Sequence, residues 1–331
     1  MSEPLVSVVI PTVGRPRLLP RAVASALECG AVGDVEVIVV PNGLDTTWRE
    51  SLAPYAGNQS VIVMPITNGN GNAARNHAMR NARGRFIRFL DDDDLLYGER
   101  AAMQYAMLED SGADVCSGGV DLIGESARVI EVRHPPLAGD FVAATLHALR
   151  LAQPTAHVFR REAVIGTLWD EALAYTQDID WMFRLCAARD LTWVRLDRVV
   201  GAWRQHEGSR ISKHAPLHKK KQLVANGIVA LLDSLALQGR LTEERRHVAV
   251  AALWEGVHEN LLCNPWFWTA IGRQAMAIEP GSRPDIPLYD YPVMVRLGVS
   301  PILWEWLMMP KRLVTRRFGR GMPITGRGSK S

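Results

Sequence analysis

Over its first hundred residues the chain switches repeatedly between two hydrophobic periods. Val6–Ile10, Val35–Val40, Val61–Ile66 and Arg85–Leu90 are short β-branched or apolar runs that read as strands, while Leu18–Leu27 and Asn72–Ala82 carry apolar residues at helical spacing. Strand, helix, strand, helix requires parallel pairing through right-handed crossovers. The expected fold is therefore α/β, a Rossmann-like, mostly parallel sheet with flanking helices. In such a sheet the ligand sits beyond the carboxyl ends of the strands. The residues to read for chemistry are then Pro11-Thr12, Pro41-Asn42-Gly43 and Asp91-Asp92-Asp93-Asp94.

The alternation continues with a helix over Gly98–Ser111 and a strand around Asp114–Val120, and becomes less regular over Gly124–His147. A helix is expected over Gln177–Ala188, with Trp181, Leu185 and Ala188 on one face, then a strand over Thr192–Leu196. Past Lys213 the chain turns to helical patterns rich in Leu, Ala and Trp, which divides it into parts of 1–214 and 215–331, with no internal repeat. With 331 residues, 47% hydrophobic and 22% charged, the chain can bury a real core. Four cysteines, none in a C-x-x-C pair, leave no structural zinc or redox dithiol and favour a reducing cytoplasm. Met1-Ser2-Glu3-Pro4 opens without the basic region of a signal peptide, and no apolar run reaches the 18 or so residues of a membrane span. The net charge of +3 is uneven: Arg296 to Ser331 carries eight Lys/Arg against one Asp/Glu, a balance of +7.

Four consecutive aspartates after the apolar run Phe86-Ile87-Arg88-Phe89-Leu90 repel one another, so a cation is expected among them. Carboxylates at i and i+2 after a strand can point to one side, and a hard divalent ion with positions left for phosphate oxygens suits such a pair. The plainer alternative is an exposed turn that caps a helix beginning near Leu95.

Val6-Ser7-Val8-Val9-Ile10-Pro11-Thr12, Val35–Val40, Gly71-Asn72-Ala73-Ala74-Arg75-Asn76 and Ala82–Asp94 follow one another in an order and spacing that resembles the family 2 glycosyltransferases of GT-A fold. The resemblance covers roughly residues 5–212. It implies a nucleotide-sugar donor, a divalent metal (Mn2+ or Mg2+) held by a D-x-D pair, and inversion at the anomeric carbon. The donor half would be about 1–97 and the acceptor half about 98–214, with a glycan or a lipid-linked sugar as acceptor. Asp91 and Asp93 are the implied metal pair, Asp92 with Asp94 the alternative register. Thr12, Arg15, Asn42, Arg75, Asp91 and Asp92 are candidates on the donor side. The second half of the match lies in Phe159-Arg160-Arg161-Glu162, Trp169-Asp170-Glu171 and Thr176-Gln177-Asp178-Ile179-Asp180. The last of these usually reads Glu-Asp-x-Asp, so that Asp178 falls at the general base and Gln177 replaces the Glu. Asp180 is open between helix surface and substrate contact. His206 resembles a late histidine that approaches the metal or the diphosphate. Asn42 stands where the family commonly has an acid against the nucleobase, which points to a base other than uracil; its amide can accept or donate.

Two rival readings remain. Gly69-Asn70-Gly71-Asn72-Ala73-Ala74 matches G-x-G-x-x-A, as in an NAD-dependent oxidoreductase, but two strands precede it where the fingerprint normally follows the first. Gln177 and Asn42 also fit a catalytically weak GT-A domain that binds a partner or membrane surface. At the other end, Ile302–Met309 combines bulky apolar and aromatic residues, and Lys311, Arg312, Arg316, Arg317 and Arg320 follow. That pairing suits a helix lying in an anionic headgroup layer, kinked at Pro310, so the enzyme would be peripheral at the inner face of the membrane. Docking on the protein's own helices and a homodimer contact are the alternatives. No nucleic-acid-binding motif accompanies the basic tail.

Overall fold

The computed structural model describes residues 3–31, 33–147, 153–205, 216–285 and 298–318. The first four strands are β1 (Val6–Thr12), β2 (Val35–Pro41), β3 (Val61–Val63) and β4 (Phe86–Phe89). They pair in parallel in the order β3-β2-β1-β4. The crossovers carry α1 (Leu19–Leu27), the short α2 (Trp48–Ser51) and α3 (Gly71–Asn81). β1 and β2 are buried along their whole length, which is why they read as continuous apolar runs rather than alternating ones.

The second half departs from pure alternation. It comprises β5 (Leu95–Leu96), α4 (Gly98–Ser111), β6 (Val115–Ile123), β7 (Val129–Arg133), α5 (Phe141–Leu146), β8 (His157–Arg160), α6 (Arg161–Val164), α7 (Gln177–Ala188) and β9 (Trp193–Arg204). β8 runs antiparallel to β4 and to β6, and β9 is parallel to β6. Among the described residues the sheet thus has nine strands in the order β3-β2-β1-β4-β8-β6-β9-β5, with β7 on β6. The chain reaches β8 through the β6–β7 hairpin and α5 rather than a single crossover helix, which reverses its direction. The irregular stretch after Gly124 contains that hairpin and α5, whose first turn is capped by Asp140 Oδ1 accepting from the Ala143 N–H at 2.7 Å. The strand expected over Thr192–Leu196 extends to Arg204.

Period-two alternation along β1 sends its side chains to two cores. Val6, Val8 and Ile10 pack with α1 and with Tyr105 and Leu108 of α4. Val9 packs with Ile38, with Ala74 and Ala78 of α3, and with Phe89. This second core continues without a break into α8 (Leu217–Leu237), α9 (Glu243–Asn260) and α10 (Pro265–Ile278). α8 lies on α7 and α9 on α5. Two further helices follow, α11 (Pro301–Leu307) and α12 (Met309–Phe318), broken from each other at Met308. At the amino end of the sheet the chain enters β4 through Gly84, where a Cβ would overlap the backbone of Ser7. The buried Glu36 carboxylate accepts from the backbone N–H groups of Arg83 and Gly84 at 2.6 and 3.2 Å, so that close approach is fixed from β2.

Candidate active site

The carboxyl ends of β1, β2 and β4 bring Thr12, Asn42 and the four aspartates into one neighbourhood. Asp92 turns back toward β1: Thr12 Oγ1 donates to its Oδ2 at 2.6 Å and Arg15 Nη1 to its Oδ1 at 2.6 Å. The same Arg15 nitrogen lies 2.8 Å from Asp93 Oδ2. Burial pushes the Asp92 carboxyl up to about 6, against the opposing pull of Arg15 and the Thr12 hydroxyl. Asn42 gives both its backbone N–H and its Nδ2 to the Thr12 carbonyl, each at 3.0 Å. The amide donor is thereby engaged within the protein.

The remaining aspartates form a group. Asp91, Asp93 and Asp94 each present a carboxylate oxygen within 4.8 Å of the others'. Asp94 is fully buried, accepting from the Arg204 backbone N–H and from Thr155 Oγ1, each at 3.0 Å. Burial, and then the charges of Asp93 and Asp91, hold its carboxyl well above the ordinary carboxylate range. Behind it, Arg88 of β4 donates to the Thr155 carbonyl at 2.9 Å and to Gln104 Oε1 at 2.6 Å. Arg88 is itself buried, and its hydrogen bonds all go to neutral oxygens.

Among the described residues three guanidinium groups, Arg15, Arg75 and Arg204, face four carboxylates here. An excess of negative charge on hard oxygen donors, partly desolvated, suits a divalent ion such as Mn2+ or Mg2+. Asp91, Asp93 and Asp94 are the residues that could hold it. The geometry therefore groups the favoured pair with Asp94, taken from the alternative register, and leaves Asp92 to brace the loop.

Arg75, on α3, joins this cluster to the second half of the sheet. Its Nη2 donates to Asp91 Oδ1 at 2.8 Å, and its Nη1 lies 3.2 Å from Asn72 Oδ1 and 3.4 Å from Gln177 Oε1. The guanidinium sits over the ring of Trp169 at 4.7 Å. Trp169 in turn stacks on Trp181 at 4.8 Å, with the Phe89 ring edge-on to both. Three asparagines of the α3 start clamp the Trp169 loop. Asn70 Nδ2 donates to the Glu171 carbonyl at 2.6 Å and Asn72 Nδ2 to the Asp170 carbonyl at 2.6 Å. Asn76 exchanges two bonds with the Trp169 backbone, at 2.9 and 2.8 Å. The G-x-G-x-x-A match is thus the opening of α3, with Asn70 as its N-cap.

α7 begins at a strained residue. Thr176 has φ +55° and ψ +29°, a left-handed conformation that a β-branched side chain rarely adopts. It carries Gln177 and Asp178 toward Arg75. Gln177, standing where the family has Glu, accepts from Arg75 and donates from Nε2 to the Leu173 carbonyl at 3.0 Å. Asp178 is half-buried, and its Oδ1 is closed to solvent with no hydrogen-bond partner. Burial pushes its carboxyl up to about 7; Arg75 pulls it down and Asp91 pushes it up. Asp180 turns along its own helix, 3.6 Å from Arg184, and burial raises its carboxyl against that guanidinium. Asp178 therefore shares the field of Arg75 and Asp91, whereas Asp180 answers to Arg184 and Asp170. His206 lies outside the described residues.

Asn70, Asn72, Asn76, Trp169 and Arg88 stand inside the motifs quoted from the sequence but carried no role there, and Thr155 was not singled out at all. The asparagines offered a signal, three amides within seven residues at a helix start. A lone arginine inside the apolar strand Phe86–Phe89 offered another.

Residues 7–166 match the family model described as Glycosyl transferase family 2. An uncharacterized glycosyltransferase of Rickettsia bellii (strain RML369-C) is 25% identical over 225 residues, 64% of this chain and 32% of that protein. The chain thus spans about a third of the length of this curated relative. S. aureus TarS 1-349, solved in complex with UDP-GlcNAc, superposes with a TM-score of 0.61 over 95% of this chain and 92% of that one, at 15% identity. Mannosyltransferase PcManGT from Pyrobaculum calidifontis, solved with GDP-Man and Mn2+, gives a TM-score of 0.53 over 96% and 88%, at 18% identity. At these identities the two structures establish a common fold, GT-A. With the aspartate loop, α3 and β8 all inside the matched stretch, residues 7–166 form a family 2 glycosyltransferase domain of GT-A fold.

Proposed function

We propose that the chain is a metal-dependent, inverting glycosyltransferase that moves a sugar from a nucleotide-sugar donor to a hydroxyl of a glycan or lipid-linked acceptor. The observation that carries this reading is Asp178, a carboxylate with an unpartnered oxygen at the start of α7, in the field of Arg75 and Asp91. As the acceptor oxygen bonds to the anomeric carbon, the bond from that carbon to the diphosphate breaks on the opposite face, and the hydroxyl proton passes to Asp178. A raised proton affinity suits a group that accepts a proton near neutral pH, and alignment contributes more than basicity. When bound, a divalent cation at Asp91, Asp93 and Asp94 supplies compensation for the charge that develops on the leaving diphosphate.

The chain's other residues hold this arrangement. Arg15 and Thr12 fix Asp92, Arg75 fixes Asp91, and Thr155 with the Arg204 backbone fixes Asp94. With one Asn42 amide hydrogen held on the Thr12 carbonyl, its Oδ1 accepts an N–H of the base. TarS with UDP-GlcNAc and PcManGT with GDP-Man support a nucleotide-sugar donor, and Mn2+ in the latter supports the metal. Calorimetry with Mn2+ or Mg2+ and a panel of nucleoside diphosphates tests the reading. Binding of one nucleotide that requires the metal is expected, and no metal-dependent binding of any of them would overturn it.

A further inference from the structure

The single acid of the C-terminal stretch from Arg296 onward is Glu305, and it is fully buried. Its Oε2 accepts from Arg312 Nη1 at 2.6 Å and its Oε1 lies 3.0 Å from His258 Nδ1 of α9. Arg312 also donates to the His258 carbonyl at 3.1 Å. This knot fixes the rotation of α11 and the entry of α12. Ile302, Trp306 and Met309 consequently face the core, and Trp306 Nε1 donates to Thr269 Oγ1 of α10 at 2.9 Å.

Beside that inward side lie large apolar residues exposed among the described residues. Leu303 is 53% exposed, Leu307 57% and Leu313 56%, and Trp266, at the start of α10, is 79% exposed with its ring 5.8 Å from that of Trp306. Leu303 and Leu307 are four residues apart on one helix and share a face. Lys311 is exposed in the first turn of α12, and in sequence Arg316, Arg317 and Arg320 follow beyond Arg312. Because Glu305 is turned inward and neutralised, no acid of this stretch stands beside the exposed leucines and Lys311, while the sequence that follows them is basic.

We infer that this face, Trp266 with Leu303, Leu307 and Leu313, seats the protein on the headgroup layer of an anionic lipid bilayer. An aromatic ring and leucines enter the interface while adjacent cations meet lipid phosphate. No described helix is long and apolar enough to cross a membrane, so the attachment lies along the surface. The charge pattern selects the occupant: a second copy of this chain would bring cations against cations.

Vesicle co-sedimentation of the full chain tests the inference, with phosphatidylglycerol/phosphatidylcholine vesicles and pure phosphatidylcholine vesicles at low and high salt. Binding to the anionic vesicles is expected, weakened by salt and nearly absent on pure phosphatidylcholine. A Leu303→Ser/Leu307→Ser variant should lose on the order of a hundredfold in partitioning, from the apolar area no longer withdrawn from water. Nucleotide binding reports whether that variant remains folded; Trp266→Ser, which alters a ring already in solvent, is the second arm and should lose partitioning too. Failure to bind anionic vesicles, or equal binding by both variants, overturns the inference. So does a concentration-dependent dimer, seen by light scattering, that the double variant abolishes.

Discussion

Thr176→Gly separates local strain from function. A non-glycine residue in the left-handed region costs roughly 1–2 kcal/mol, and Thr176 sits there at φ +55° without a side-chain cap bond to offset it. Its Oγ1 bonds only its neighbour's carbonyl, Tyr175 O, at 2.6 Å. Glycine removes the steric cost but loses about 0.5–1 kcal/mol through the freedom of the unfolded chain. The net expectation is a gain of about 0.5–1 kcal/mol, which for a chain of this size raises Tm by about 1–3 °C. Activity should move the other way. Thr176 delivers Asp178 to Arg75 and Asp91, and a looser delivery costs on the order of tenfold in kcat, with nucleotide binding unchanged. Thr176→Asn, which tolerates the left-handed region, should keep more of the activity than glycine. Thermal unfolding read beside sugar-transfer rates decides the matter. A Tm lowered by more than 2 °C, or a fully active glycine variant, would refute the reasoning.

Asp178→Asn should keep metal-dependent nucleotide binding and lose about a hundredfold or more in transfer; full activity there, with Asp180→Asn inactive, would move the base to Asp180. Since Asp178 accepts a proton only when ionised, transfer by the wild type should fall with acid below a limb at or under pH about 7, a cation near Asp91 drawing it lower, and that limb should vanish in the asparagine variant. Asp94 is raised by burial and by Asp93 and Asp91, so its contribution to stability is complete below the unfolded carboxylate pKa of about 4 and is lost as pH rises through the folded value. Asp94→Asn should therefore raise Tm in chelator at pH 8, the gain should shrink toward pH 5, and Mn2+ should stabilise the variant less than the wild type. Gly84→Ala, whose Cβ overlaps the Ser7 backbone, should cost about 1–3 kcal/mol in a denaturant titration.

The parallel half of the sheet was legible because β1, β2 and β4 are buried throughout, and such strands leave unbroken apolar runs that local sequence displays. The antiparallel turn into β8 was not. His157-Val158-Phe159-Arg160 carries no mark of direction, which the hairpin and α5 before it decide. The aspartates show the same limit at the site. Composition and position announced a cationic partner, but which carboxylates point together depends on Thr12 and Arg15, nearly eighty residues earlier in the chain. Asp178 was singled out by the family resemblance, whereas its environment depends on Arg75, placed by Trp169 and the asparagines of α3. At the C-terminus the amphipathic pattern was visible and the break near Pro310 followed from proline chemistry. That one helix both docks inward and exposes a face became apparent only from the burial of Glu305.

Arg88, Gln104 and Thr155 form a relay running from the core to the acidic loop, and its consequence is historical. A change at Arg88 alone strands the oxygens of Gln104 and Thr155 in a buried setting, and a change at Gln104 alone leaves the buried guanidinium only the Thr155 carbonyl and the Tyr105 hydroxyl. Either single step is penalised, and a joint replacement by apolar residues still takes donors from the Thr155, Cys116 and Ala156 carbonyls. Lineages descending from this sequence should therefore hold both positions, or exchange both only for residues that still donate to those carbonyls, and the freedom of the acidic loop to vary is set by residues that never meet a substrate.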